Sequence, residues 1–107
     1  MIPQISPLEL KRWLDAGQPV FLLDVRQPEE HAYCALPGSV LIPLGELPTR
    51  LEELEPAAGA TVVVYCHHGV RSLSGAAILR QAGIDAVSLA GGIDRWSLTV
   101  DPSVPRY

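Results

Sequence analysis

The sequence predicts a three-layer α/β/α fold in one domain, residues 1–107, with a mostly parallel sheet of about five strands. Three observations lead there. Thr61-Val62-Val63-Val64-Tyr65 is a row of strand formers with no apolar/polar alternation, as a strand buried on both faces requires. Runs of strand length alternate with helical patterns along the whole chain. The Thr61–Tyr65 run is followed by Cys66, a short polar loop and a helical pattern, so Cys66 falls at the carboxyl edge of the central strand, where such sheets place their sites.

Taken in order, Ser6, Pro7 and Glu9 read as a helix start. Ser6 is the cap, Pro7 the first helical residue, and Glu9 completes a capping box. Ile5 and Leu10 have the spacing of a hydrophobic staple, and Leu10, Trp13 and Leu14 face inward until Gly17 ends the helix. Trp13 at this spacing reads as core. Val20-Phe21-Leu22-Leu23 is a second buried strand. Asp24 and Arg26 follow it, on the same sheet edge as Cys66, and two roles stand open for them: a solvated strand end with a local ion pair, or support of the site. A short helix starts at Pro28, with His31 at the surface.

Cys34 lies among Tyr33, Ala35 and Leu36 with no cationic neighbour and reads as structural; resolving an oxidised Cys66 is the other role open to it, although nothing in the sequence places the two together. Leu36-Pro37-Gly38-Ser39 is a turn, and Val40-Leu41-Ile42-Pro43 a short strand closed by proline. Leu47, Leu51 and Leu54 share a helical face, with Arg50, Glu52, Glu53 and Glu55 on the wet side; residues 56–59 lead into the central strand. The helix after Cys66 carries Leu73, Ala76, Ala77, Leu79 and Arg80 and stops at Gly83. Ala86-Val87-Ser88-Leu89 is the last strand. Gly91-Gly92 opens a short helix through Trp96, which reads as packed, and the glycines allow either a close backbone approach beside the Cys66 loop or simply a tight turn. Residues 98–107 form an extended tail.

The composition narrows the function. A net charge of −4 and no basic patch argue against nucleic acid. No apolar run is long enough to span a membrane, and the amino terminus lacks the features of a signal peptide. Two cysteines make no disulfide framework, and a reducing cytoplasm is the expected compartment.

The chemistry concentrates in Cys66-His67-His68-Gly69-Val70-Arg71-Ser72. A helix start presents free backbone N–H groups and the positive end of its dipole, and a loop curled about one atom adds more donors. A cysteine there is expected to ionise readily and act as a nucleophile. Arg71 adds a fixed positive charge, and His67 and His68 partial ones. The competing reading of Cys66 as an inert core thiol does not account for a Cys-X4-Arg loop after a strand. A zinc site from Cys66, His67 and His68 is disfavoured because adjacent residues chelate poorly and no second ligand pair is near in sequence.

With these parts in view, nearly the whole chain resembles a single-domain rhodanese, a thiosulfate sulfurtransferase. The resemblance rests on Asp24-Val25-Arg26-Gln27-Pro28-Glu29-Glu30, on Pro37-Gly38-Ser39 leading to Ile42-Pro43-Leu44, on the Cys66–Ser72 loop, and on Leu89-Ala90-Gly91-Gly92-Ile93-Asp94-Arg95-Trp96. It departs at Cys34-Ala35, where the family commonly has Gly-His. The resemblance implies a rhodanese-like fold and a persulfide carried on Cys66. It also implies a sulfur anion held by the backbone of His67 to Ser72, and an anionic substrate bound with help from Arg71.

The implied reaction moves the outer sulfur of thiosulfate, or another sulfane-sulfur donor, to cyanide, a small thiol or a protein thiol, with no metal or organic cofactor. The arginine and two histidines predict thiosulfate in preference to the singly charged mercaptopyruvate. Two alternatives remain. A cysteine phosphatase also sets a cysteine and an arginine around an anion loop, but with a longer Cys-X5-Arg spacing. A rhodanese-like module that carries sulfur or binds partners would not turn over small substrates.

Overall fold

The computed structural model describes residues 1–54 and 59–107. Five parallel strands form the sheet: β1 (Gln4–Ile5), β2 (Val20–Asp24), β3 (Val40–Leu41), β4 (Thr61–Tyr65) and β5 (Ala86–Leu89), in the order β1-β5-β4-β2-β3. The Thr61–Tyr65 strand is central, as its composition predicts. It pairs with β2 from Val20↔Thr61 to Asp24↔Tyr65 and with β5 from Val62↔Ala86 to Val64↔Ser88.

Side chains alternate across the sheet, and each face has its own core. Leu22, Val63, Tyr65 and Leu89 pack on one side with Ile5, Leu10, Ile93 and Trp96. Leu23, Val62, Val64 and Cys66 pack on the other with Ala76, Leu79 and Leu47. The helices α1 (Pro7–Asp15) and α4 (Gly92–Thr99) supply the first layer, and α3 (Arg71–Gln81) the second. Full burial of Val62, Val63, Val64 and Tyr65 explains the unbroken apolar row.

Helix α1 begins as read. The Ser6 hydroxyl accepts from the Glu9 N–H at 3.1 Å, and Glu9 accepts in return from the Ser6 N–H at 3.2 Å. Ile5 and Leu10 lie in the same core. The short helix α2 (Pro28–Tyr33) also begins at its proline, and Glu30 reaches back to the Gln27 N–H at 3.0 Å.

Four features differ from the sequence reading. Gln4–Ile5 is an edge strand, tied to β5 by Ser88 N–H to Pro3 carbonyl (3.0 Å) and Ala90 N–H to Ile5 carbonyl (2.8 Å). Two residues are too few to carry a period. The strand at Val40 stops at Leu41. The Leu47–Leu54 stretch is not one α-helix but two 3₁₀ turns, Leu44–Thr49 and Leu51–Glu53. Pro48 supplies no N–H, so an i to i−4 ladder cannot run through it; Leu47 and Leu54 are buried all the same. The readings at Glu55 and at residues 56–58 lie outside the described residues. Finally, α4 continues to Thr99, and the tail beyond it is docked: Val104 is buried and its carbonyl accepts from the Ser97 hydroxyl at 2.6 Å.

Candidate active site

Cys66 continues the alternation of Val62 and Val64, so its side chain lies on the α3 side of the sheet, and 1% of the residue is exposed. The chain turns immediately after it and enters α3 at Arg71. Two backbone N–H groups reach the sulfur: Gly69 at 3.1 Å and Ser72 at 3.4 Å. The Ser72 hydroxyl lies 3.5 Å from it. These donors, at the start of a helix, favour negative charge on the sulfur.

The loop owes its shape to α4. The Ile93 N–H donates to the Cys66 carbonyl at 2.9 Å and the Asp94 N–H to the His67 carbonyl at 3.1 Å. Free N–H groups of one helix start thereby satisfy carbonyls of the loop that opens another. Such an approach requires Gly92, whose φ is +63° and where a Cβ would collide with the Cys66 carbonyl oxygen. Gly69 meets the same limit from the other side: φ is +92°, and a Cβ would lie 2.8 Å from the Gly91 nitrogen. Of the two readings of Gly91-Gly92, the close approach is the one present.

Behind the sulfur stands Ser88 of β5, fully buried, its hydroxyl 2.8 Å from that of Ser72. The mouth of the loop is a network of charges. Arg71 makes a bidentate pair with Glu30 of α2, at 2.8 and 3.0 Å. This bond holds the Glu30 carboxyl down at about 2, with help from the Gln27 N–H and the Tyr107 hydroxyl. Tyr107 donates to Glu30 at 2.8 Å and accepts from Arg26 at 2.7 Å. Its phenol is pushed up to about 12, chiefly by burial, and stays a donor. Its ring stacks on His67, centroids 3.8 Å apart and planes 5° apart, and meets Tyr33 edge-on at 5.8 Å.

Asp24 and Arg26 are not solvated. Both are fully buried and paired twice, Nε to Oδ1 at 2.9 Å and Nη2 to Oδ2 at 2.7 Å. Burial works to discharge Arg26, but its bonds to Asp24 and Tyr107 more than offset this and raise its pKa. Arg26 also donates to the Cys34 carbonyl at 2.6 Å. Cys34 therefore does have a cationic neighbour, brought in by the fold, although the contact is to its carbonyl; its sulfur lies 3.5 Å from the Pro105 carbonyl. His31 is half-buried rather than on the surface, with Nδ1 2.8 Å from Asp24 Oδ2.

Of the loop residues singled out from sequence, Cys66, Gly69 and Ser72 meet at the sulfur. Val70 stands at the cap of α3 and is 73% exposed. Arg71 is present but not free. Burial lowers the His67 pKa, the neighbouring His68 lowers it further, and its Nε2 is buried without a hydrogen bond among the described residues. His68 lies against the His67 ring at 3.8 Å, with Nδ1 3.9 Å from Asp94. Of the three groups counted as positive, Arg71 is thus paired with Glu30 and His67 is partly buried, while His68 stays exposed beside Asp94.

Sequence reasoning missed Glu30, Ser88 and Tyr107 as parts of the site. Gln27 to Glu30 has capping-box spacing, and Ser88 is the one polar residue of an apolar strand, so both left a signal. Tyr107 left none, being 77 residues from Glu30.

A family model described as a rhodanese-like domain matches residues 6–99. The chain belongs to the rhodanese-like family. Its relatives include a protein of Mycobacterium tuberculosis named "Probable adenylyltransferase/sulfurtransferase MoeZ", 38% identical over 104 residues. That match covers 96% of this chain but 26% of MoeZ, so this rhodanese-like domain spans about a quarter of that relative's length.

Among solved structures, a thiosulfate sulfurtransferase from Pseudomonas aeruginosa has a TM-score of 0.85 at 30% identity, covering 98% of this chain and 20% of that one. A human single-domain sulfurtransferase has a TM-score of 0.79 at 31% identity, covering 92% and 98%. The rhodanese-like neighbours share the parallel five-stranded sheet with its helices. The Cys34-Ala35 departure leaves the local packing intact: Cys34 is buried, and the Leu36 N–H donates to the Tyr65 hydroxyl at 3.1 Å. No helix among the described residues is long and apolar enough to cross a membrane.

Proposed function

We propose that this rhodanese-like domain is a sulfurtransferase that carries a persulfide on Cys66, loaded by thiosulfate or another sulfane-sulfur donor and unloaded to cyanide, a small thiol or a protein thiol. The observation that carries the reading is the convergence of the Gly69 and Ser72 N–H groups on the Cys66 sulfur at the start of α3. The sulfurtransferase relatives support it.

In the first half-reaction the Cys66 thiolate attacks the outer sulfur of thiosulfate. The S–S bond of the donor breaks and sulfite leaves with the electron pair, giving Cys66–S–S⁻. In the second, cyanide or a thiolate attacks the terminal sulfur and Cys66 leaves as thiolate. The loop donors stabilise the anion on Cys66, then the anion one atom further out. The loop has four residues between Cys66 and Arg71, a ring suited to one sulfur atom rather than a phosphoryl group. A reducing cytoplasm is the compartment that keeps such a thiol available.

A second reading, a sulfur carrier loaded by a protein partner, is favoured by one observation: Cys66 is 1% exposed. Intact mass spectrometry separates the two. The protein is treated with thiosulfate and, separately, with a small organic persulfide. Addition of one sulfur at the Cys66 peptide, its release by cyanide as thiocyanate, and its loss in Cys66→Ala are the expected results. Loading by neither donor into folded, reduced protein overturns the enzyme reading in favour of the carrier.

A further inference from the structure

The Arg71 guanidinium is the fixed charge of the loop, and it is already occupied. Glu30 takes it with both carboxylate oxygens, the geometry in which such pairs are strongest. Glu30 is itself held in place from three sides: by Arg71, by the Gln27 N–H and by the Tyr107 hydroxyl. Tyr107 is fixed in turn by Arg26 and by its stack on His67.

The other charges around the mouth are also matched. Arg26 is paired with Asp24, and Arg106 with Asp94 at 2.8 Å. His68 faces the same Asp94, and the His67 ring is stacked between His68 and Tyr107. Arg95 lines a separate groove of about 290 Å³ with Ser6, Leu8, Gly91 and Thr99, and no residue of the 66–72 loop lines that groove.

Building on the sulfurtransferase reading, the geometry points to Glu30, positioned by Tyr107, as the residue that sets donor charge at this site: it disfavours dianions such as thiosulfate and leaves the site suited to uncharged hydropersulfides. A dianion approaching Arg71 must share it with a carboxylate or displace that carboxylate from three hydrogen-bonding partners. An uncharged donor meets no such repulsion. The step then balances without a further cation: Cys66–S⁻ attacks the outer sulfur of R–S–SH, the S–S bond of the donor breaks with RS⁻ leaving on the electron pair, and the proton of the outer sulfur passes to RS⁻, giving Cys66–S–S⁻ and R–SH.

Two measurements on the full chain test this. In the first, Cys66 is alkylated with iodoacetate, an anion, and with iodoacetamide, its neutral counterpart, and both rates are followed by mass spectrometry. Glu30→Gln keeps an oxygen for the Gln27 N–H and removes the charge; it is expected to raise the iodoacetate-to-iodoacetamide ratio about tenfold, and Tyr107→Phe about threefold. A ratio within about twofold of the parent in both variants overturns the proposal. Should Glu30→Gln fail to fold, the Tyr107→Phe ratio decides alone.

In the second, run in mildly acidic buffer that keeps an alkyl hydropersulfide protonated and uncharged, Cys66 is loaded in a single turnover by thiosulfate and by that hydropersulfide. Glu30→Gln is expected to speed loading by thiosulfate about tenfold and to change loading by the hydropersulfide less than about twofold. Equal gains with both donors mean a merely opened mouth and overturn the charge role. If neither protein loads from either donor, the sulfurtransferase reading falls, and the alkylation ratio still decides whether Glu30 sets the charge.

Discussion

The Ser88 hydroxyl, fully buried on β5, lies 2.8 Å from the Ser72 hydroxyl, which lies 3.5 Å from the Cys66 sulfur. Ser88 Oγ has no other hydrogen-bond partner among the described residues. With an anionic sulfur the chain runs Ser88 O–H to Ser72 O, then Ser72 O–H to sulfur, and every hydroxyl proton is used. With a thiol the direction reverses and the buried Ser88 proton is left without an acceptor, which costs free energy. Ser88→Ala is therefore expected to slow alkylation of Cys66 by iodoacetamide about fivefold at neutral pH, a change of about 1 kcal/mol. An unchanged rate would assign Ser88 to packing alone.

Gly92 is the residue on which the loop rests against α4. Gly92→Ala sets a methyl group against the Cys66 carbonyl, at a φ that alanine resists. The backbone must shift, and with it the Gly69 and Ser72 donors. A loss of at least tenfold in Cys66 reactivity is expected with the protein still folded, the lost loop contacts costing about 1–3 kcal/mol. Circular dichroism together with alkylation rates checks both halves.

The Asp24–Arg26 pair governs stability more than chemistry. Removing one member leaves the other charged and buried, so Asp24→Ala is expected to cost about 3–5 kcal/mol in urea unfolding. Tyr107→Phe, which removes one hydroxyl from the same network, is expected to cost about 1 kcal/mol. Equal losses would mean that the pair is not the anchor of the network.

Acid acts through Glu30. Its carboxyl titrates at about 2 in the folded chain against an ordinary 4.5, with the Arg71 bond as the leading cause. A depressed folded value means that the stabilisation is fully present above about pH 4.5 and is lost as pH falls through about 2. Urea midpoints of the parent and Glu30→Gln should thus differ at about pH 6 and converge near about pH 2. A constant gap across that range would show that the carboxylate charge contributes nothing.

Cys34→Ser is expected to retain most of the Cys66 reactivity, because Cys34 contacts the tail and Arg26 through its sulfur and carbonyl rather than the loop. A large loss, read as persulfide yield on Cys66, would move Cys34 from packing into the chemistry.

The elements that local pattern determines were readable in the chain itself. The buried strand Thr61–Tyr65, the cap at Ser6, the proline starts of α1 and α2, and the loop from Cys66 into α3 each follow from residues a few positions apart, and Gly91-Gly92 left open the close approach that the Cys66 carbonyl makes. Charge at the site was a different matter. Sequence supplied Arg71, His67 and His68 as positive groups, and only tertiary contact paired Arg71 with Glu30 and set His67 against Tyr107, because a charge counts by its nearest partner. Glu30 comes to Arg71 from 41 residues away, and Tyr107 comes to Arg26 from 81. The same distance dependence hid the role of Asp24: whether a strand-end ion pair is solvated depends on what packs over it, here the tail, His31 and Cys34. Strand composition and capping are short-range and leave a period or a spacing behind. Neutralisation and burial are long-range and leave none, so the chain specified where the sulfur sits while the fold decided which charges face it.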